Sequence, residues 1–349
     1  MQKIALFSLL LLHHSLLAQQ YIWSTDTVVQ SEPNYAVNKY QDILRYHDPF
    51  MYLVYPAITP IVQRKIPLAE GEGKKGYMVE GQFAYRFVIF KGKYYSYPSL
   101  QKLRITFDVD LLLRLTRDNN SYPILPYNDK FGIGIDYLWT KTDKLSSDKC
   151  TQAWTTLQVH HYSNGEYDSS LINSPVRRNN YRSGDFSTNY FRVLMNTGSQ
   201  SWQHSILSAS LGYQREMDFG GPFTRSQDLR DYYGFDRLLL ALQWASKPSL
   251  VVMTHQNRAA KKMEKVKVEK RWQVTLRTEM EYIAGDLSRF EGARKYRTGW
   301  HTYLTFMPSI TNDVGLIAHT YLGRDYLNIR FDDVVFIAEA GVYVKFNSR

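Results

Sequence analysis

Three side chains in this 349-residue sequence combine types and spacing suited to nucleophilic chemistry. His161 and Ser163 lie two residues apart in Val159-His160-His161-Tyr162-Ser163-Asn164-Gly165. On an extended chain, residues two apart share a face. A hydroxyl beside an imidazole is the arrangement of a nucleophile and its general base. Asn189, in Phe186-Ser187-Thr188-Asn189-Tyr190-Phe191-Arg192, shares parity with Phe191, Val193 and Met195. If its strand pairs with the one carrying His161, the two residues come roughly 5 Å apart. An amide oxygen there can hold the imidazole in one tautomer, as a carboxylate does in a hydrolytic triad. The bland alternative makes Ser163-Asn164-Gly165 an outer turn, since Asn-Gly is a strong turn signal, and leaves these residues as polar strand ends.

Such a site needs long strands to position it, and period-two alternation supplies them. From Leu103 to Leu115 every odd position is Leu, Ile, Phe or Val, while Arg104, Thr106, Asp108, Asp110 and Arg114 occupy even ones. Leu112 is the one exception. The same alternation marks 77–90, 232–244, 271–282 and 333–346. Further strands read at 131–141, 151–163, 187–197, 202–214, 297–308 and 314–326. A weaker one at 50–62 carries Pro56 and Pro60, which confines it to an edge-like or irregular role. Including it gives twelve, an even number, as closed single-chain barrels require. Strands of this length fit the roughly 9–11 residues that cross a bilayer at a tilt. They exceed the usual five or six or so of a soluble sheet.

The predicted fold class is therefore all-β, an antiparallel transmembrane barrel of about twelve strands over residues 50–349. Its apolar face meets lipid and its charged face lines the lumen. Trp139, Trp154, Trp202, Trp244, Trp272 and Trp300 lie near strand ends, as an interfacial girdle would. Leu157 and Val159 share the parity of His161 and Ser163, so both polar residues belong to the lipid-facing set. Placing them there without a role is costly.

Residues 1–18 read as an export signal, with Lys3, an apolar run from Ile4 to Leu12, and Ala18 at the cleavage point. Residues 19–49 read as a periplasmic N-terminal segment. The net charge is +10, but export argues against nucleic acid as a partner. The lone Cys150 excludes a disulfide framework and a cysteine-based zinc site. With the N-terminus periplasmic, 164–186 and 215–230 fall among the outer loops. The long connection 247–270 is rich in Lys and Arg and reads as a solvated charged loop, or as a contact for anionic headgroups.

These residues together resemble the outer-membrane phospholipase A family. The specific match is His161-x-Ser163-Asn164-Gly165, with Asp168 at the family's spacing and Asn189 opening the next strand. Looser similarities lie in His47-Asp48-Pro49-Phe50, Ser121-Tyr122-Pro123 and Gly323-Arg324-Asp325-Tyr326-Leu327. The resemblance implies a twelve-stranded bacterial outer-membrane barrel that hydrolyses acyl ester bonds of phospholipids. It implies Ser163 as nucleophile, His161 as general base and Asn189 as orienter of the base. It further implies dependence on calcium, with Asp168, Ser121 and Ser170 as ligands, and a homodimer as the active form. Hard oxygen donors suit that ion. The sequence departs from the family at Glu166, where a basic residue is usual, and at Leu171, where a serine ligand is expected beside Ser170. The loop from Gly165 to Ser187 is also longer, and carries Arg177, Arg178 and Arg182. Two other readings stay open: a non-enzymatic barrel, such as a pore or structural platform, and a degenerate homologue that binds lipid without turnover.

Overall fold

The computed structural model describes residues 50–63, 77–91, 102–116, 127–139, 149–164, 171–172, 178–179, 185–201, 205–221, 223–226, 233–246, 251–257, 262–268, 273–285, 296–308, 314–327 and 334–345, with Leu100, Leu229 and Leu287 besides. The expected signal and periplasmic segments lie outside them. In chain order the strands are β1 (Phe50–Gln63), β2 (Tyr77–Lys91), β3 (Leu103–Thr116), β4 (Asn128–Leu138), β5 (Lys149–Ser163), β6 (Leu171–Ile172), β7 (Arg178–Asn179) and β8 (Ser187–Ser201). They continue as β9 (Ile206–Met217), β10 (Asp236–Ala245), β11 (Val251–Asn257), β12 (Lys262–Val268), β13 (Gln273–Ile283), β14 (Thr298–Met307), β15 (Val314–Arg324) and β16 (Val334–Lys345). Twelve of them close one barrel in the order β1-β16-β15-β14-β13-β10-β9-β8-β5-β4-β3-β2. The pairs β6–β7 and β11–β12 form separate two-stranded ladders.

Parity decides what each side chain meets. In β3, Leu111 and Leu113 are exposed, while Asp108, Leu112 and Arg114 are buried. In β10 and β13, Leu238, Leu242, Leu276 and Tyr282 point outward, and Arg237 is buried. A closed barrel with an outward apolar band and a polar interior is an outer-membrane β-barrel. Leu112, the exception to alternation, joins an interior apolar cluster with Tyr321, Leu327, Val335 and Ile337.

Several expectations need correction. β4 begins and ends three residues before 131–141, which leaves exposed Trp139 just past its end, donating Nε1–H to Thr155 Oγ1 at 2.7 Å. Trp154 is buried rather than part of a girdle, because its even parity on β5 turns it into the lumen. Trp244 and Trp300 do face outward. The connection 247–270 is not a plain loop: β11 and β12 pair from Val251↔Val268 to Asn257↔Lys262. Lys265-Val266-Lys267-Val268 alternates at period two, and its charge hid a short self-paired hairpin. β1 keeps the irregularity expected of its prolines, which lack an amide donor. Its ladder with β16 shifts register after Pro56 and again after Ile58, and it meets β2 only from Phe50 to Val54.

The charged faces meet inside. Arg86 pairs with Asp108 at 2.7 Å, Arg104 with Asp136 at 2.5 Å, and Arg237 with Glu216 at 2.8 Å. Burying these ions is tolerable because each has a partner of opposite sign. After β15 the chain turns into the lumen. Arg114 bridges Glu80 and Asp325, reaching the latter at 2.6 Å. The Tyr326 hydroxyl donates to Glu80 at 2.9 Å, while its carbonyl accepts from Asn128 Nδ2 at 3.2 Å and from the Tyr162 hydroxyl at 3.3 Å. One short segment thus ties β2, β3, β4 and β5 together across the interior.

Candidate active site

β5 and β8 are paired from Lys149↔Ser201 to Ser163↔Ser187, and this register sets His161 opposite Asn189. Parity puts both on the outer face, beyond Leu157 and Val159 at the rim. His161 Nδ1 and Asn189 Oδ1 are 2.8 Å apart. Asn189 is fully buried, and its Nδ2 donates to the Phe223 carbonyl at 2.5 Å and the Met217 carbonyl at 3.4 Å. Carbonyl oxygens only accept, so the amide must present NH2 to them and Oδ1 to the ring. His161 must then carry its proton on Nδ1, which leaves Nε2 with a free lone pair. That is the tautomer a general base requires.

The imidazole is half-buried between two aromatic rings. Phe131, its register partner on β4, lies with ring centroids 5.2 Å away at 55°. Phe223 lies 5.2 Å away on an edge-on 68° contact. Ser163 stands two residues along the same face and is also half-buried. Among the described residues no hydrogen bond joins its hydroxyl to His161; such contacts are often long without substrate.

The Asn164-Gly165 turn signal comes only after His161 and Ser163 on the strand, and Gly165 lies outside the described residues. β5 runs through Ser163, and the fully buried Asn164 extends its pairing toward Phe186. Its N–H donates to the Phe186 carbonyl, and its Oδ1 accepts from Phe186 N–H, each at 3.0 Å. On the lumen side, the intervening residues anchor the strands. Tyr162, Phe186, Tyr190 and Leu229 form an apolar cluster, and the Tyr190 hydroxyl lies 2.9 Å from His160 Nδ1. Gly132 lets β4 approach closely: a Cβ there would stand 2.1 Å from the Val159 carbonyl and 2.6 Å from His160 Cα.

Asp168, Ser121 and Ser170, the expected calcium ligands, lie outside the described residues, as does Glu166. A different cluster of metal-ligand types, Glu80, His319 and Glu339, has its ligand atoms within 4.8 Å of one another. It sits in the lumen, on the other side of the barrel wall from His161. Its groups are already engaged: Glu80 by Tyr52, Arg114 and Tyr326, and Glu339 by His319 at 2.6 Å. The cluster therefore reads as part of the interior polar network, and its imidazole is not a donor calcium favours. Sequence reasoning missed Phe131 and Phe223. Phe131 carries a usable signal, since it shares parity with outward Ile133 and Ile135. Phe223 carries none, because a loop brings it in.

No family model and no curated protein matches the chain. Solved structures similar to it include outer membrane phospholipase A from Escherichia coli, with 15% identity and a TM-score of 0.49 over 85% of this chain and 90% of that one. Another is the Salmonella typhi outer membrane phospholipase dimer with bound calcium, at 12% identity and a TM-score of 0.48, covering 86% and 91%. The transport unit of the Escherichia coli autotransporter AIDA-I also matches, at 10% identity and a TM-score of 0.37, covering 91% and 100%. Solved outer membrane phospholipases are thus among the structures to which this chain is similar over most of its length, and they belong to the family that its 161–189 segment resembles.

Proposed function

We propose that this outer-membrane barrel is a phospholipase hydrolysing acyl ester bonds at its lipid-facing rim. The observation that carries this reading is the His161 Nδ1–Asn189 Oδ1 hydrogen bond of 2.8 Å on the outer face, two residues from Ser163. A structural barrel has no need for an oriented imidazole and a hydroxyl on the side that meets hydrocarbon. An open pore is disfavoured by the Asp325–Tyr326 segment, which is bonded across the lumen.

Ser163 Oγ attacks the acyl carbonyl carbon while His161 Nε2 takes its proton. When the tetrahedral intermediate collapses, His161 returns that proton to the departing lysolipid oxygen. Water then attacks the acyl-enzyme with the same base, releasing the fatty acid and restoring Ser163. Asn189 keeps the ring oriented throughout, and as a neutral group it adds no carboxylate beside the Asp129 that already faces Ser163 at the rim. Asp168, Ser121 and Ser170 are hard oxygen donors that would hold Ca2+, and that ion would supply positive charge near the developing oxyanion. The substrate is phospholipid from the surrounding outer membrane. A second copy in a homodimer would cover the exposed rim and exclude water.

The test is fatty-acid release from phospholipid micelles by the refolded protein, with calcium or chelator, beside Ser163→Ala. Calcium-dependent release that disappears in the variant is expected, by about 10³-fold or more. A folded wild-type barrel that releases nothing in calcium would return the molecule to the non-enzymatic or lipid-binding class.

A further inference from the structure

The β9–β10 connection is built in a way that β-hairpin closure alone does not require. Asp218 Oδ1 accepts from the N–H of Gly220 at 3.0 Å and of Arg225 at 3.3 Å. Gly220 and Gly221 have φ of 70° and 59°, in the left-handed region that favours glycine. Phe223 N–H donates to the Gly220 carbonyl at 3.2 Å, and Thr224 Oγ1 donates to the Gly221 carbonyl at 2.7 Å. The loop then folds back on the outer end of β8. Ser226 N–H donates to the Ser187 carbonyl at 2.9 Å, and Ser187 N–H donates to Ser226 Oγ at 2.8 Å. Ser187 Oγ donates to the Thr224 carbonyl at 2.9 Å, and Ser226 Oγ donates to Asp185.

We infer that this loop is a positioning clamp that sets the tautomer of His161 by way of Asn189, with Ser226 as its latch. An amide differs end from end only in what it donates and accepts. The Phe223 carbonyl, at 2.5 Å from Asn189 Nδ2, is the closer of the two acceptors that decide its orientation. A flipped amide would set Oδ1 against both carbonyls and offer NH2 to the ring. His161 would then hold its proton on Nε2 and lose the lone pair that accepts a proton. With the loop loosened, among the described residues only the 3.4 Å contact to Met217 remains to oppose that flip. The clamp's consequence for catalysis rests on the phospholipase reading; its effect on the imidazole does not.

The experiment uses the full-length barrel in micelles with calcium, labelled with 15N-histidine, the His161 signals being identified by their absence in His161→Gln. Ring nitrogen shifts report the tautomer in wild type, Ser226→Ala, Ser226→Thr and Asn189→Ala, with fatty-acid release measured in parallel. Wild type and Ser226→Thr, which keeps the hydroxyl, are expected to hold the proton on Nδ1. Ser226→Ala is expected to show a mixed population and a kcat about tenfold lower at unchanged KM, the equivalent of one hydrogen bond. Asn189→Ala is expected to lose the preference. Should Ser226→Ala not fold, as judged by migration without boiling, Asp218→Ala loosens the same loop from its exposed side. A folded loop variant whose His161 tautomer equals wild type overturns the clamp, whatever its activity. The expected tautomer pattern without any hydrolysis in wild type would support the clamp and defeat the phospholipase reading.

Discussion

Two histidines of this barrel are held in the same way in opposite environments. His161 on β5 faces Asn189 on β8, and His319 on β15 faces Glu339 on β16, each as a direct register pair. Both rings meet their partner through Nδ1, at 2.8 Å outside and 2.6 Å inside. The acceptor differs, an amide at the lipid rim and a carboxylate in the lumen, and so does the far nitrogen, since His319 Nε2 lies 3.1 Å from His301 Nδ1. Inside, Glu339 belongs to a network in which Arg114 offsets Glu80 and Asp325. Outside, His161 packs against Phe131 and Phe223, with Asp129, the register partner of Ser163, on the same face, and the amide of Asn189 adds no further charge at the rim. Strand pairing supplies the geometry, and the local dielectric selects the chemistry.

The comparison predicts that charge matters most where it is buried and balanced. Arg114→Met strands Glu80 and Asp325 without their shared cation, and is expected to cost about 3–5 kcal/mol in denaturant unfolding from vesicles. On the phospholipase reading, hydrolysis per folded molecule should be unchanged, because that reading puts the substrate at the outer rim.

Exchanging the acceptors tests the parallel directly. Asn189→Asp places a second oxygen against the Phe223 and Met217 carbonyls and a charge at the rim. It is expected to destabilise by about 2 kcal/mol and to slow fatty-acid release about a hundredfold. Glu339→Gln keeps an acceptor for His319 and should leave release unaltered. Equal losses of activity in the two variants would end the distinction between rim and lumen.

Gly132→Ala sharpens it from the neighbouring strand. The added methyl must displace the β5 backbone beside His161, for a cost of about 1–3 kcal/mol, with release falling more than stability alone explains. The smallest effect concerns the clamp. Hydrogen bonds from Gly220 and Arg225 N–H hold the Asp218 carboxyl below the usual carboxylate range. A depressed carboxyl contributes stability above its unfolded value, about 3.9, and loses it as pH falls through the lowered folded value. The amide resonances of Gly220 and Arg225 should therefore titrate below about pH 4 in wild type and stay flat in Asp218→Asn.

Much of this architecture was legible because one period governs it. Leu103–Leu115 declares both its faces in a single run, and His161 could be matched with Asn189 because parity and antiparallel adjacency are enough to pair them. Trp154 departs from the girdle expected of an aromatic near a strand end because its parity turns it inward. The hairpin of β11 and β12 was hidden because lysines interrupt its short apolar positions. Phe223 had no sequence signal, since its approach to Asn189 depends on two left-handed glycines and a serine latch, and neither has a period. Arg114 was visible as a lumen charge, but its bond to Asp325, 211 residues away, depends on where the chain turns after β15.

The irregular first strand has a consequence for how the molecule comes apart. Around most of the circumference each strand is stitched to both neighbours along much of its length, but β1 is joined to β2 only from Phe50 to Val54. A closed ring under stress parts where its stitching is shortest. Heat or denaturant should therefore unzip this cylinder lengthwise between its first two strands, and β1 should leave still attached to β16. The wall that carries His161 and Asn189, near the opposite side of the ring, should be the last to lose its form.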